Sequence, residues 1–162
     1  MKKGKIVNIP FMRYYAVASG FAGAPTHFED KIVNGQKIHT IRKSYEYWAS
    51  RIDNAQKSAE SIYKLSLWGD KPYVSKQYQA KTGHAHNLWY ATINFKKMND
   101  QILVIDGSEY PLDLVARNDG LPDEVFRDWF KSFVDDEKPS IIIGWTYRPY
   151  LHGNIKRLYE LQ

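Results

Sequence analysis

Hydrophobic and polar positions change their period several times along this chain, and each change marks an element. Between Leu121 and Phe133 the apolar residues Val125, Phe126, Trp129, Phe130 and Phe133 recur every three or four positions. Pro122 and two acids precede them, so a helix with a single buried stripe is predicted. A shorter helix is predicted over THFEDKIVNG, where Thr26 and Glu29 have capping-box spacing and Gly35 supplies the stop. SYEYWASRIDNAQKSAES (residues 44–61) has helical composition, with Tyr47, Ile52 and Ala55 loosely spaced.

Elsewhere the period is closer to two. KIHTIR (37–42), SIYKLSLWG (61–69), YVSKQYQ (73–79), LWYATINFKKM (88–98) and SIIIGWTYR (140–148) are predicted strands. QILVIDGSEY reads as a hairpin around the Asp106-Gly107 turn. KIVNIPFMRYYAV reads as one or two short strands broken at Pro10, and KTGHAHN (81–87) as a loop. The basic tail PYLHGNIKRLYELQ adds at most a short helix. Strands outnumber helices and follow one another without regular crossover helices. A small β-barrel carrying two to four helices, in the α+β class, is the expected fold. The strands at 37–42, 62–68, 88–97 and 140–146 are expected in one curled sheet. No repeat or linker divides the chain, so residues 1–162 are read as one domain.

Composition narrows the chemistry. With no cysteine among 162 residues, disulfides, thiolate metal sites and a cysteine nucleophile are excluded. No apolar run approaches a membrane span, and Pro10 and Arg13 interrupt the basic N-terminus, so a cytoplasmic protein without a membrane partner is expected. The net charge of +5 is uneven: residues 1–97 hold 16 basic against 6 acidic side chains, and residues 98–162 hold 7 against 12. A basic half suits a polyanion, and five Trp and twelve Tyr include rings able to stack on unpaired bases. Trp68, Trp89 and Trp145 are nevertheless assigned to the core. His84 and His86 lack a third ligand nearby, so no metal site and no cofactor are expected. His39 has the opposite strand parity to Thr40 and is read as a surface histidine.

GQKIHTIR (35–42) is the most informative stretch. It resembles the helix-end and strand signature Gly-x-Lys-x-x-Thr-x-Arg of the ASCH domains, a branch of the PUA-like β-barrels that bind RNA or modified nucleosides. Gly35, Lys37, Thr40 and Arg42 occupy its positions. LVARNDGLPDEVFRDWF (114–130) resembles the downstream acidic-residue-plus-helix block of those domains, and IIIGWTYRPY (141–150) their closing strand. The match covers roughly residues 26 to 150. Two departures stand out: the long segment 44–61 replaces a short turn, and Asp119 stands where the small N4-acetylcytidine amidohydrolases carry glutamate.

The resemblance implies a nucleobase or RNA partner, free nucleoside or single strand. Its enzymatic form is hydrolysis of the amide of an N-acylated cytidine. In that form Thr40 attacks or positions water, Lys37 is the base, and Asp119 protonates or orients the leaving nitrogen. Arg42 and Asn118 bind substrate. A non-catalytic reader of RNA or modified bases and a ribonuclease are the rival forms. Oligomeric state is open. Lys37 has the opposite parity to Thr40 and Arg42, so all can meet only if Lys37 sits at the bend before the strand.

Overall fold

The structure, a computed structural model, describes residues 6–12, 14–15, 20–57, 63–69, 77–83 and 89–145. In chain order the elements are β1 (Ile6–Phe11), α1 (Phe28–Val33), β2 (His39–Arg42), α2 (Tyr45–Lys57), β3 (Tyr63–Gly69), β4 (Gln77–Gly83) and β5 (Trp89–Asn94). They continue with β6 (Ile102–Ile105), β7 (Ser108–Pro111), α3 (Leu112–Asn118), α4 (Asp123–Phe130) and β8 (Ser140–Gly144). Short 3₁₀ turns lie at Met98–Asp100 and Lys131–Phe133. This mixture of helices and largely antiparallel sheet is an α+β fold. No helix among the described residues is long and apolar enough to cross a membrane.

The described residues form two sheets, and this corrects the expectation of one. Five strands in the order β2-β8-β5-β6-β7 are antiparallel throughout. The strand expected at 62–68 belongs instead to a three-stranded sheet, β1-β3-β4, in which β1 runs parallel to β3. β1 runs unbroken through Pro10 because it is an edge strand of this sheet, where a missing N–H costs no ladder bond on the open side. β4 begins four residues later than predicted and takes in Lys81–Gly83, which were read as loop.

Register settles which residues share a face. His39 and Trp89 both align with Gly144, Ile41 and Ala91 with Ile142, and Ile93 with Ser140 and Ile105. This inner face is buried from end to end, including Leu103 and Tyr110 on the outer strands. The helices α3 and α4 cover it with Leu112, Val115, Ala116, Val125, Phe126 and Phe130. Phe95 and Phe130 stack at 5.2 Å, and Phe126 meets Phe130 at 4.6 Å. Trp129 of the predicted stripe is only half-buried; it contacts Tyr15 at 5.3 Å edge-on. The opposite, outer face carries Thr40, Arg42, Ile141, Ile143, Tyr90 and Thr92. Helix α2 lies against it, turning Ala49 and Ile52 inward while Tyr47 is exposed, and Tyr90 donates to Asp53 at 2.5 Å.

Three local readings hold. Gly35 has a φ of +83° and ends α1, a conformation a side chain would strain. Asp106 and Gly107, at φ of 49° and 80°, form the hairpin turn between β6 and β7. Trp89 and Trp145 are core residues, while the Trp68 side chain and residues 146–162 lie outside the described residues. Helix α3 was missed: LDLVARN is too short for its period to declare itself after the strand that precedes it.

Gly144 is the tightest point of the inner face, since the Trp89 ring lies across it on the way to His39. A Cβ there would sit 2.1 Å from the ring. Gly144→Ala is therefore expected to destabilise the protein by about 1–3 kcal/mol or more through overpacking. Urea denaturation checks this, and an unchanged midpoint would show that Trp89 can swing aside.

Candidate functional site

The site begins where α1 ends. After Gly35, the Lys37 N–H bonds the Lys31 carbonyl at 2.9 Å and the Ile38 N–H bonds the Asn118 carbonyl at 2.9 Å. Regular pairing starts only at His39, so Lys37 occupies the bend before the strand, outside its pleat. On the other side, α3 ends at Asn118-Asp119-Gly120. Gly120 has a φ of +81°, and a Cβ there would stand 3.2 Å from Lys37 Cβ and 3.3 Å from Lys31 Cδ. Only a glycine lets the turn approach the two lysines this closely.

Lys37 and Asp119, separated by 82 positions, meet inside the protein. Lys37 Nζ lies 3.0 Å from Asp119 Oδ1 and 2.8 Å from the Asp119 carbonyl, and 4.2 Å above the centre of the Phe28 ring. Lys37 is 2% and Asp119 3% exposed. His39 Nδ1 is 3.2 Å from the same Oδ1. This corrects the reading of His39 as a surface residue: it is fully buried, with its ring edge-on to Trp89. Its odd parity, shared with Lys37 and Ile41, was the signal that could have placed it on the inner face.

Thr40 and Arg42 lie on the other face of β2. Arg42 Nη1 donates to Thr40 Oγ1 at 2.7 Å and to the Ile41 carbonyl at 2.9 Å. Thr40 is 3% exposed, so its hydroxyl is a buried group. The structure thus brings Lys37 into contact with Asp119, and Thr40 into contact with Arg42. Strand parity sets the two pairs on opposite faces of β2, an edge strand of the five-stranded sheet. The pairs are still close enough for Asp119 and Arg42 to feel one another's charge. Asn118 is half-buried, and its side-chain nitrogen is enclosed with no hydrogen-bond partner among the described residues.

Burial and pairing compete for each charge. Burial pulls Lys37 below the ordinary lysine value, and Asp119 works against that by charge and hydrogen bond. Burial alone would raise Asp119, but the Lys37 charge and the His39 and Lys37 hydrogen bonds outweigh it, so its carboxyl is held low. Burial likewise lowers His39, against the pull of Asp119. At neutral pH the cluster is therefore a carboxylate between a lysine and a neutral imidazole that donates from Nδ1. Among the described residues no group of three or more histidines and acids is placed to hold a metal ion; His84 and His86 lie outside them.

Comparison of the chain with protein families, with curated proteins and with solved structures finds no match in any of the three.

Two outcomes follow from the cluster. Lys37→Met strands a buried carboxylate and is expected to cost about 3–5 kcal/mol, whereas Lys37→Met with Asp119→Leu recovers most of that loss. Chemical denaturation of both variants checks this, and equal losses would mean that the pair is not coupled. The second outcome concerns pH. Asp119 and His39 both bind protons less readily when folded than when unfolded, so acid favours unfolding. The His39 contribution is lost as pH falls below about 6.5, and that of Asp119 as pH falls below about 3.9 towards its depressed value. The urea midpoint should drop between about pH 7.5 and 5.5 and do so less in His39→Gln. A midpoint equally steep in both proteins would assign the loss to another group.

Proposed function

We propose that this chain binds a nucleobase, as a nucleoside or within RNA, at the edge of β2, and that its two sheets belong to an ASCH-like, PUA-type barrel. The observation that carries the reading is the enclosed Asn118 amide nitrogen, one residue from Asp119 and without a hydrogen-bond partner among the described residues. A buried donor left unpaired costs about 1–3 kcal/mol, and a base carbonyl supplies the acceptor that removes the cost. Arg42 adds a planar donor fork on the neighbouring face, suited to a second acceptor on the same ligand. The contact between Lys37 and Asp119 supports the same reading, because it unites two of the three segments on which the ASCH resemblance rests.

In this reading the Lys37–Asp119–His39 cluster builds and orients the site. Lys37 is held as an ammonium by a carboxylate and a carbonyl, which favours binding without turnover. A second reading, hydrolysis of an N-acylated cytidine, draws on the Arg42 bond into Thr40 Oγ1. That bond stabilises negative charge on the hydroxyl oxygen and so favours its attack on an acyl carbon. The attack would expel the exocyclic amine with the hydroxyl proton, and water would then release the acid from the Thr40 ester. A neutral Lys37, whose pKa burial lowers in the required direction, would carry that proton from the hydroxyl to the leaving amine.

A panel of acylated and methylated nucleosides, scored separately for binding and for release of the acid, tests both readings. Asn118→Ala is expected to weaken nucleoside binding about tenfold, with little loss of stability because its amide nitrogen has no partner among the described residues. Equal affinity in the variant would remove Asn118 from the site. Thr40→Ala should abolish any turnover, at a stability cost of about 1 kcal/mol for the lost buried hydrogen bond. Affinity for RNA that falls steeply with salt would assign the partner to a polymer, and a flat response to a nucleoside.

A further inference from the structure

A concave region lies away from the Lys37–Asp119 cluster. It is a groove of about 940 Å³ between the start of α2 and the loop that leads into β8. That volume is in the range of small-molecule sites. Tyr45 and Tyr47 form its aromatic wall, and Glu46, Asp136 and Glu137 bring carboxylates to it. Lys43 and Lys138 are its basic groups.

The charges do not balance. Lys43 Nζ is 3.3 Å from Asp136 Oδ2 and 4.6 Å above the Phe133 ring, so this lysine and one carboxylate answer each other. Glu46 and Glu137 then face Lys138 alone. Glu46, in the first turn of α2, also offsets the positive end of that helix. Behind the aromatic wall stand two more carboxylates. Tyr45 meets Tyr90 edge-on at 6.0 Å, Tyr90 donates to Asp53, and Asp53 and Asp106 both act on the Tyr45 hydroxyl. The groove is acidic in a chain whose net charge is +5. A phosphate-bearing ligand is repelled there, whereas aromatic faces among carboxylates attract organic cations. The same chemistry is already present on Tyr47: Arg51, one helical turn away, lies 5.4 Å over its ring and bonds its hydroxyl at 3.1 Å.

We propose that this groove, lined by Tyr45 and Tyr47 and by the Glu46 and Glu137 carboxylates, binds an organic cation, a protonated alkylamine or a guanidinium. Binding needs no chemical step and no contact with Asn118 or Arg42, so it is separable from the nucleobase reading.

Hexane-1,6-diamine and hexane-1,6-diol have the same length and differ in charge, and binding to the intact chain can be followed by tyrosine and tryptophan fluorescence. The diamine should bind at least about tenfold more tightly than the diol, and its affinity should fall with added salt. Glu46→Gln and Glu137→Gln, both at exposed positions, should each weaken the diamine about threefold to fivefold, and Tyr47→Ala by a similar factor. Lys138→Gln should strengthen it. No saturable diamine binding, equal binding of the diol, or a diamine affinity indifferent to Glu46→Gln and Glu137→Gln would each overturn the assignment.

Discussion

The C-terminus of α3 is the constraint on which this structure turns. A helix leaves its last carbonyls without intrahelical donors, and the negative end of its dipole makes an acid at that position unfavourable. Here Asp119 stands at that end, deeply buried. Three donors from α1 and its connection to β2 answer three consecutive carbonyls: the Ile38 N–H meets Asn118, Lys37 Nζ meets Asp119 and Lys31 Nζ meets Gly120, at 2.9, 2.8 and 2.7 Å. The connection in turn has its own helix end to close, which the Lys37 N–H does on the Lys31 carbonyl. Two helix termini thus complete each other, and β2 is delivered to the sheet edge at a fixed height.

That interlock explains why a lysine can be tolerated at 2% exposure. Each of its interactions serves a group that would otherwise be unsatisfied, so desolvation of the ammonium is offset by a carboxylate, a carbonyl and the face of Phe28. Stability alone does not require the arrangement, because apolar side chains of similar volume commonly do as well as a buried ion pair. What the ionic version adds is register. Asp119 Oδ1 is shared by Lys37 and His39, so the carboxylate reads two positions of the incoming segment at once. A slip of one residue along β2 would turn His39 outward and break that pair of contacts.

How much of this was legible in the sequence depends on the range of the interaction. Local signals were sufficient for Gly35, the Asp106-Gly107 turn and the stripe of α4, since φ and period are decided within a few residues. Non-local partition was not. Nothing in the alternation of SIYKLSLWG distinguishes a strand of the five-stranded sheet from one that pairs with β1, because both leave the same pattern. The Lys37–Asp119 meeting was anticipated from a resemblance between motifs, whereas charge and spacing alone allowed solvated residues. His39 was misplaced because the face opposite Thr40 was assigned to solvent, whereas that face, shared with Ile41, is buried. α3 went unread for a different reason: seven residues give two turns, too few for a period.

Edge position gives β2 its further significance. An interior strand has neighbours on both sides that separate its two faces, but an edge strand lets long side chains on opposite faces approach round its open side. Lys37 lies before the pleat begins and Arg42 at its end. Asp119 counters the effect of burial on Arg42, consistent with this proximity. A ligand at the edge would therefore meet Arg42 from the outer face and Asn118, next to Asp119, from the inner one. It would bridge two networks whose bonds, Arg42 to Thr40 and Lys37 to Asp119, are each already made. Binding demands only that such a ligand present acceptors on two sides. Turnover demands more, because a proton leaving Thr40 must cross the edge to reach a lysine already bonded to Asp119.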